Sequence, residues 1–325
     1  MALKLPWCMK QVTQDLNATF FLLFSFFISM LLVFKLTRRT KHNNLPPSPP
    51  KLPIIGNYHQ LGTLPHRSFQ TLSQKHGPLF LLKLGQLPVL VVNSVGLARE
   101  VLQTQDEIFA NRPQLTASRI LLYGCKDVAY SSYGDEWRQK RKVCVVELLS
   151  PERVKAVQFI REEEVEALVS NIRKACTSSG SSVNLSDMLV MTANNIVCRC
   201  IFGRKYDVED GKCRFGELAR EATSQLADFS LGDIFPSLGW VGVLSGQTKK
   251  YKATFEALNA ILDDRIAERK MAKVDPEMKD FLDALLQLQD RDRQEFELTN
   301  DDLKALIMVF LSMASFFYMH VCVIT

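Results

Sequence analysis

A chain of 325 residues has room for one large domain or two ordinary ones. Apolar residues make up 47% and charged residues 23%, a globular composition with a membrane tilt that excludes a disordered chain. A formal charge of +5, with no dense Lys/Arg stripe interleaved with aromatics, excludes a nucleic-acid binder.

The first element is apolar. No charged residue occurs from Leu16 to Phe34, a run rich in Phe and Leu and long enough to cross a bilayer at about 1.5 Å per residue. Lys35, Arg38, Arg39 and Lys41 crowd its C-terminal flank, whereas Lys4 and Lys10 precede it at lower density. The positive-inside rule therefore leaves residues 1–15 in the lumen and the bulk of the chain in the cytosol. A cleaved signal peptide would have a shorter core followed by small residues, so the run fits an uncleaved anchor better. Residues 35–57 are basic and then proline-rich. Prolines fix φ and favour extended backbone, so Leu45 to Asn57 reads as a stiff spacer between membrane and globule.

Helical spacing runs from His66 to His76 and stops at Gly77-Pro78. The apolar runs Leu79–Leu84 and Val89–Val92, separated by Gly85 to Pro88, predict a hairpin. Ser94 caps a helix through about Gln103. A looser region opens at Asn111-Arg112-Pro113 and extends to Tyr133. Helices are then expected near 134–149, 151–175, 185–202, 212–228, 247–272, 276–290 and from 300 onward. Ser150-Pro151 is an N-cap followed by proline at the first helical position. Thr299 to Asp302 matches a capping box with Asp in place of Glu. The fold class expected is mainly α with a small β-sheet, preceded by one transmembrane helix.

The eight cysteines are Cys8, Cys125, Cys144, Cys176, Cys198, Cys200, Cys213 and Cys322. None forms a C-x-x-C pair, so a disulfide framework is not expected in so core-rich a chain. Cys198 and Cys200 sit in an apolar helix and face different ways. The histidines show no metal-ligand spacing.

Trp137 and Arg141 are four residues apart and share a helical face. One offers an indole N–H and the other a guanidinium fork, a donor-only pair suited to a carboxylate-bearing ligand. Taken alone, the pair equally describes a packed Trp with an Arg at the rim. Its neighbours decide the matter. Pro53-Ile-Ile-Gly-Asn57, His76-Gly-Pro-Leu79, Phe109-Ala-Asn-Arg-Pro113, Tyr133-Gly with Trp137-x-x-x-Arg141, Leu231-Gly-Asp-Ile-Phe-Pro236 and Leu298-Thr-x-Asp-x-Leu-Lys-Ala305 occur in order. Jointly they resemble the plant microsomal cytochromes P-450, from the anchor to about Met308.

The resemblance implies a helix-rich fold around a buried haem, whose propionates Trp137 and Arg141 would grip. It implies monooxygenation of a lipophilic substrate at the endoplasmic reticulum, with electrons from an NADPH-dependent flavoprotein reductase. Arg138, Lys140 and Lys142, off the Trp137/Arg141 face, are candidates to meet an acidic reductase surface; a solvated basic face reads equally well. Leu115, Ile120 and Leu121, with Phe229 and Phe235 from the roof segment, are candidates to line a cavity for a small terpenoid or phenolic.

The sequence also departs from that family. The F-x-x-G-x-R-x-C-x-G loop, whose thiolate holds the iron, does not occur, and Cys213 lacks its upstream Phe and Gly. Ser312 and Ser315 offer hydroxyls with no adjacent acid. Glu217-Leu-Ala-Arg220 lies before the central helix, so it reads as a surface i,i+3 pair rather than the family's E-x-x-R. Residues 58–308 are thus expected to be the N-terminal part of a monooxygenase domain. Residues 309–325 would be a divergent apolar tail, long enough with its helix to span a membrane or to aggregate. Neither haem nor activity is expected to be stable in this chain alone.

Overall fold

The computed structural model describes residues 19–33, 45–178, 184–204, 214–271, 280–290 and 297–324, with side chains at all of these except 178, 214 and 313–324. Residues 1–15, with Cys8, the ends of the 16–34 run, all of 35–44 and Cys213 therefore lie outside the described residues. The chain divides into two compact units, Met1–Arg99 and Glu100–Thr325.

In the first unit, α1 spans Thr19–Val33, a short apolar helix exposed throughout. Then follow α2 (Pro65–His76), β1 (Leu79–Leu84), β2 (Leu87–Val92) and α3 (Val95–Arg99). The two strands form an antiparallel hairpin with Phe80 opposite Val91 and Leu82 opposite Val89. Phe80, Leu82 and Val91 make a small core, packed by Phe69 and Leu72 of α2.

Residues 45–57 of the stiff proline-rich segment are bonded to the hairpin of this unit. Leu81 donates its backbone N–H to the Pro47 carbonyl at 2.8 Å. Asn57, fully buried, donates its amide to the carbonyls of Pro49 (3.3 Å) and Pro50 (3.1 Å) and accepts from the Lys83 N–H at 2.9 Å. Prolines lack N–H groups, so this stretch can join a sheet edge only through its carbonyls, and Asn57 supplies the donors.

In the second unit the elements are α4 (Asp106–Phe109), α5 (Thr116–Leu121), α6 (Asp135–Lys142, continued by a π-turn over Val143–Leu148), α7 (Pro151–Ala156), α8 (Gln158–Ser178) and α9 (Leu185–Phe202). They are followed by α10 (Arg214–Leu226), α11 (Leu231–Ile234), α12 (Gly239–Leu244), α13 (Gln247–Met271), α14 (Phe281–Gln289) and α15 (Asn300–Ile324). The predicted caps form. The Ser150 side chain accepts from Arg153 N–H, and Thr299 and Asp302 cap each other, with the Asp302 N–H reaching Thr299 Oγ1 at 3.2 Å and the Thr299 N–H reaching Asp302 Oδ2 at 3.0 Å.

α15 is the centre of this unit, flanked by α9 and α10. Asp302, Leu303, Lys304, Ala305, Leu306, Ile307, Met308 and Val309 are all buried. A helix that is apolar all round needs neighbours on every side, which explains the charge-free run after Lys304. Leu311 and Ser312 are buried too, and the Phe310 ring meets Phe281 edge-on at 4.8 Å, so packing continues past Met308 without a break. Among the described residues, α1 being shorter, α9 is the one helix long and apolar enough to cross a membrane by length and composition. Its Cys198, Ile201 and Phe202 lie in the main core, and its Arg199 pairs with buried Glu164 at 2.7 Å, as befits an internal helix. Arg220 of the Glu217-x-x-Arg220 run approaches Asp187 of α9 at 3.9 Å.

Candidate functional site

The α6 face forms as the spacing predicts. Asp135 and Glu136 lie in its first turn and Lys140, Arg141 and Lys142 in its last, each sign at the end of the helix dipole that favours it. The Arg141 guanidinium sits 5.2 Å over the Trp137 ring, a cation–π contact that holds the fork exposed at the edge of the face. Trp137 leans on Tyr133, ring centroids 5.4 Å apart, and donates its indole N–H to the Val128 carbonyl at 3.0 Å. Arg141 is thus presented to an incoming carboxylate, whereas the indole proton is already engaged. A second carboxylate contact from Trp137 requires the 127–130 turn to give way.

That turn is built on Asp127. Its Oδ1 accepts from the N–H groups of Ala129 (2.6 Å) and Tyr130 (2.9 Å), while burial pushes its carboxyl above the usual range. Upstream, Tyr123, Gly124 and Cys125 all adopt left-handed backbone, with φ of 51°, 77° and 63°. The Lys126 N–H closes the turn on the Leu122 carbonyl at 3.0 Å. Left-handed backbone costs a non-glycine residue about 1–2 kcal/mol, so Tyr123 and Cys125 must be held there by their contacts. Tyr123 Oη donates to Asn259 Oδ1 of α13 at 2.7 Å, and Lys304 Nζ of α15 reaches the same oxygen at 3.0 Å.

Lys140 corrects the expectation of a surface role. It is 1% exposed and pairs with Asp302 of α15 at 2.7 Å and with Glu136 at 2.6 Å, so it cannot meet a partner protein. Arg138 is exposed, bonded to Tyr133 Oη at 2.8 Å and to Asp135 at 3.1 Å, and Lys142 is exposed. The sequence showed a basic helix; it gave no signal that its middle lysine meets the cap of a helix 160 residues on, apart from the acid already assigned to that cap.

The cavity candidates divide. Leu121 is fully buried in the main core, and Ile120 packs against that core. Leu115 and Phe235 are half-buried, and Phe229 is exposed. What brings their two segments together is Asp233, which bonds Thr116 across 117 residues of sequence.

Haem is the group this site would serve, and the residues fit it in part. Arg141 suits a propionate. The buried and half-buried cysteines do not suit the iron. Cys125, Cys144 and Cys198 are buried in the core. Burial pushes the Cys125 and Cys200 thiols up, and burial with nearby Asp127 pushes Cys144 up to about 12. A thiol so raised stays protonated at neutral pH, whereas a metal ligand must be a thiolate. Among the described residues no three His, Cys, Asp or Glu side chains cluster as a metal site. Alkylation at pH 8 is expected to modify exposed Cys176 rapidly and to leave Cys125, Cys144 and Cys198 unmodified until the chain is unfolded. Peptide mass analysis after timed quenching reads the order.

A family model for cytochrome P-450 matches residues 46–315. The chain belongs to the cytochrome P-450 family. It is 43% identical over 289 residues to a phenylacetaldehyde oxime monooxygenase of Prunus mume, covering 86% of this chain and 55% of that protein. It is 44% identical over 259 residues to cytochrome P-450 71A1 of Persea americana, covering 78% of this chain and 51% of that one. Among solved structures it is similar to a zebra fish cytochrome P-450 with progesterone, at TM-score 0.58 and 26% identity, over 76% of this chain and 55% of that chain. The chain spans about half the length of the curated relatives it matches. The relatives are plant cytochromes P-450, monooxygenases of secondary metabolism among them, and the mostly helical fold with its small two-stranded sheet is of the cytochrome P-450 type.

Proposed function

We propose that this chain forms the substrate and propionate side of a haem monooxygenase anchored in the endoplasmic reticulum membrane by residues 16–34. The hinge is residues 35–57, the partial monooxygenase domain is residues 58–308, and the apolar remainder is residues 309–325. The substrate is a small lipophilic molecule, a terpenoid or phenolic, and the electrons come from an NADPH-dependent flavoprotein reductase. The observation that carries this reading is the α6 face, where Trp137 steadies the exposed Arg141 fork at 5.2 Å.

Bound haem supplies the oxygen activation that puts one oxygen atom into the substrate. The residues of this chain contribute binding and exclusion. Arg141 holds a carboxylate, and Leu115, Ile120, Phe229 and Phe235 offer the apolar surface on which a lipophilic molecule displaces water, while Leu121 packs in the core. Burial keeps the Cys125, Cys144 and Cys200 thiols protonated at neutral pH, so these residues carry no oxygen step. That observation favours a second role for the 325-residue chain taken alone: a membrane-anchored, non-catalytic product that binds partners or substrate. The test is a reduced carbon-monoxide difference spectrum with haem quantification on the expressed chain. The expected result is no thiolate-type Soret band. Such a band with one haem per chain overturns the proposed inactivity and identifies an existing cysteine as the ligand.

A further inference from the structure

α5 has six residues, too few to hold itself as a helix in water, since a nucleus costs more than one turn returns. It carries Leu115 at its N-cap and Ile120 and Leu121 in its body, three of the candidate cavity residues. Its N-terminus is fastened from a distance. Asp233 Oδ1 accepts from both the Thr116 N–H and the Thr116 hydroxyl, each at 2.8 Å. Asp233 Oδ2 accepts from the Ser230 N–H at 2.9 Å. Ser230 Oγ donates to Thr116 Oγ1 at 3.2 Å and accepts from the Asp233 N–H at 3.2 Å. The donors and acceptors close on one another. A single carboxylate therefore caps α5 and completes the capping box of α11, between Phe229 and Phe235.

The other end of α5 is held as firmly, by the left-handed turn at Tyr123–Cys125 and the Tyr123–Asn259 bond. The body of α5 packs on α13 and α10, and the bonds from Asp233 and Ser230 to Thr116 fasten its N-terminus to the 229–235 turn. Loosening that tie changes how large a molecule fits, more than it changes whether an apolar molecule binds at all. Satisfied hydrogen bonds around a carboxylate give a fixed geometry, and preorganised walls discriminate by size where mobile ones adapt.

We propose that Asp233 is a positioning residue that sets the size selectivity of the lipophilic site by tying the 116–121 helix to the 230–234 turn. The inference rests on the proposed lipophilic site and goes beyond it in naming what fixes its dimensions. Asp233 touches no substrate in this role; it acts through Thr116.

The experiment uses the full chain in detergent micelles, with Asp233→Ala, Thr116→Val and Thr116→Ser. Thr116→Val removes only the hydroxyl and keeps the backbone bond to Asp233, so it tests the tie even if Asp233→Ala does not fold. Thr116→Ser keeps both bonds and serves as rescue. Peptide-resolved hydrogen exchange should run at least tenfold faster over residues 116–122 and 230–235 in Asp233→Ala, about threefold faster in Thr116→Val and unchanged in Thr116→Ser, with 247–271 unaffected in all three. Equilibrium dialysis with a monoterpene alcohol and a bulkier biaryl phenol should show their affinity ratio moving at least threefold toward the bulky ligand in Asp233→Ala and in the same direction in Thr116→Val. Unchanged exchange over 116–122 overturns the tie. Faster exchange with an unchanged affinity ratio reduces Asp233 to a structural cap and overturns its role in selectivity. If neither ligand binds the wild-type chain, the lipophilic-site reading itself fails, and selectivity with it, a result distinct from binding without a change in ratio.

Discussion

Replacing Lys140 with alanine should destabilise the second unit by about 3–5 kcal/mol, the usual cost of removing one partner from a buried ion pair. Asp302 Oδ1 faces Lys140 Nζ at 2.7 Å with both side chains at or below 4% exposure, so no water replaces the lost ammonium. The same lysine also faces Asp127, whose buried carboxyl it helps to keep charged. The pH dependence should change sign with the mutation. In the wild type, burial raises the Asp302 carboxyl, but its bonds to Lys140 and Thr299 outweigh that and bring it below its ordinary value of about 3.8. A depressed folded value contributes stability that is present above the unfolded value and lost as pH falls through the folded one. The wild type should therefore lose this contribution on acidification below about pH 4. In Lys140→Ala burial acts on Asp302 and Asp127 without their common cation, so both folded values rise and protonation on acidification becomes stabilising. Urea unfolding of both proteins at several pH values between about 3 and 7 reads the slopes. Parallel slopes would show that the pair does not govern this unit's acid response. Asp302→Asn combined with Lys140→Met, which removes both charges, should recover most of the loss.

What the sequence conveyed and what it withheld separate along physical lines. Local signals survived: the Ser150-Pro151 start, the Thr299/Asp302 capping box, the hairpin around Gly85 and the Trp137/Arg141 face all depend on residues within a few positions of one another. The central place of α15 was legible only through the resemblance of Leu298 to Ala305 to a family's central helix; its charge-free run read as a membrane span or an aggregating tail, because lipid and protein cover an apolar helix equally well. Long-range polar pairing was not. Lys140 reads as one more basic residue on a basic helix, and only the packing of α6 on α15 puts it beside Asp302. Asp233 reads as part of a local Ser230–Asp233 cap, and nothing near it in sequence points to Thr116. Leu121 reads as a cavity residue because it is apolar and follows a proline-marked loop, yet a leucine carries the same label whether it faces a cavity or a core. The tie between Trp137 and Val128 was hidden for a similar reason: a backbone carbonyl has no sequence identity.

Gly56→Ala should unfold the edge of the first unit's sheet, with a loss of about 2–5 kcal/mol from a left-handed residue gaining a side chain and from overpacking against backbone. Gly56 has φ of +63°, and a Cβ there would lie 2.0 Å from the Lys83 carbonyl oxygen. That oxygen belongs to β1 and already accepts from the Asn57 N–H at 2.6 Å, so it cannot retreat without breaking the junction. Gly56 also bridges Leu52 on one side and Leu84 on the other, which places the turn between the proline segment and the hairpin. Asn57→Ala attacks the same junction differently. It leaves the part-buried Lys83 N–H and the carbonyls of Pro49 and Pro50 without their side-chain partner, at about 1–3 kcal/mol for a buried group left unsatisfied, here the Pro49 carbonyl, and less for the two that reach solvent. Asn57→Asp is the informative contrast. It keeps the acceptor for Lys83 but loses the donor, and sets a buried carboxylate against two carbonyls, so it should be at least as harmful as alanine although it is nearly isosteric. Hydrogen exchange over residues 79–92 separates these outcomes. All three variants should speed it while exchange in α13 stays as in the wild type. If Asn57→Asp leaves the hairpin as protected as in the wild type, the proline carbonyls are not held by this side chain.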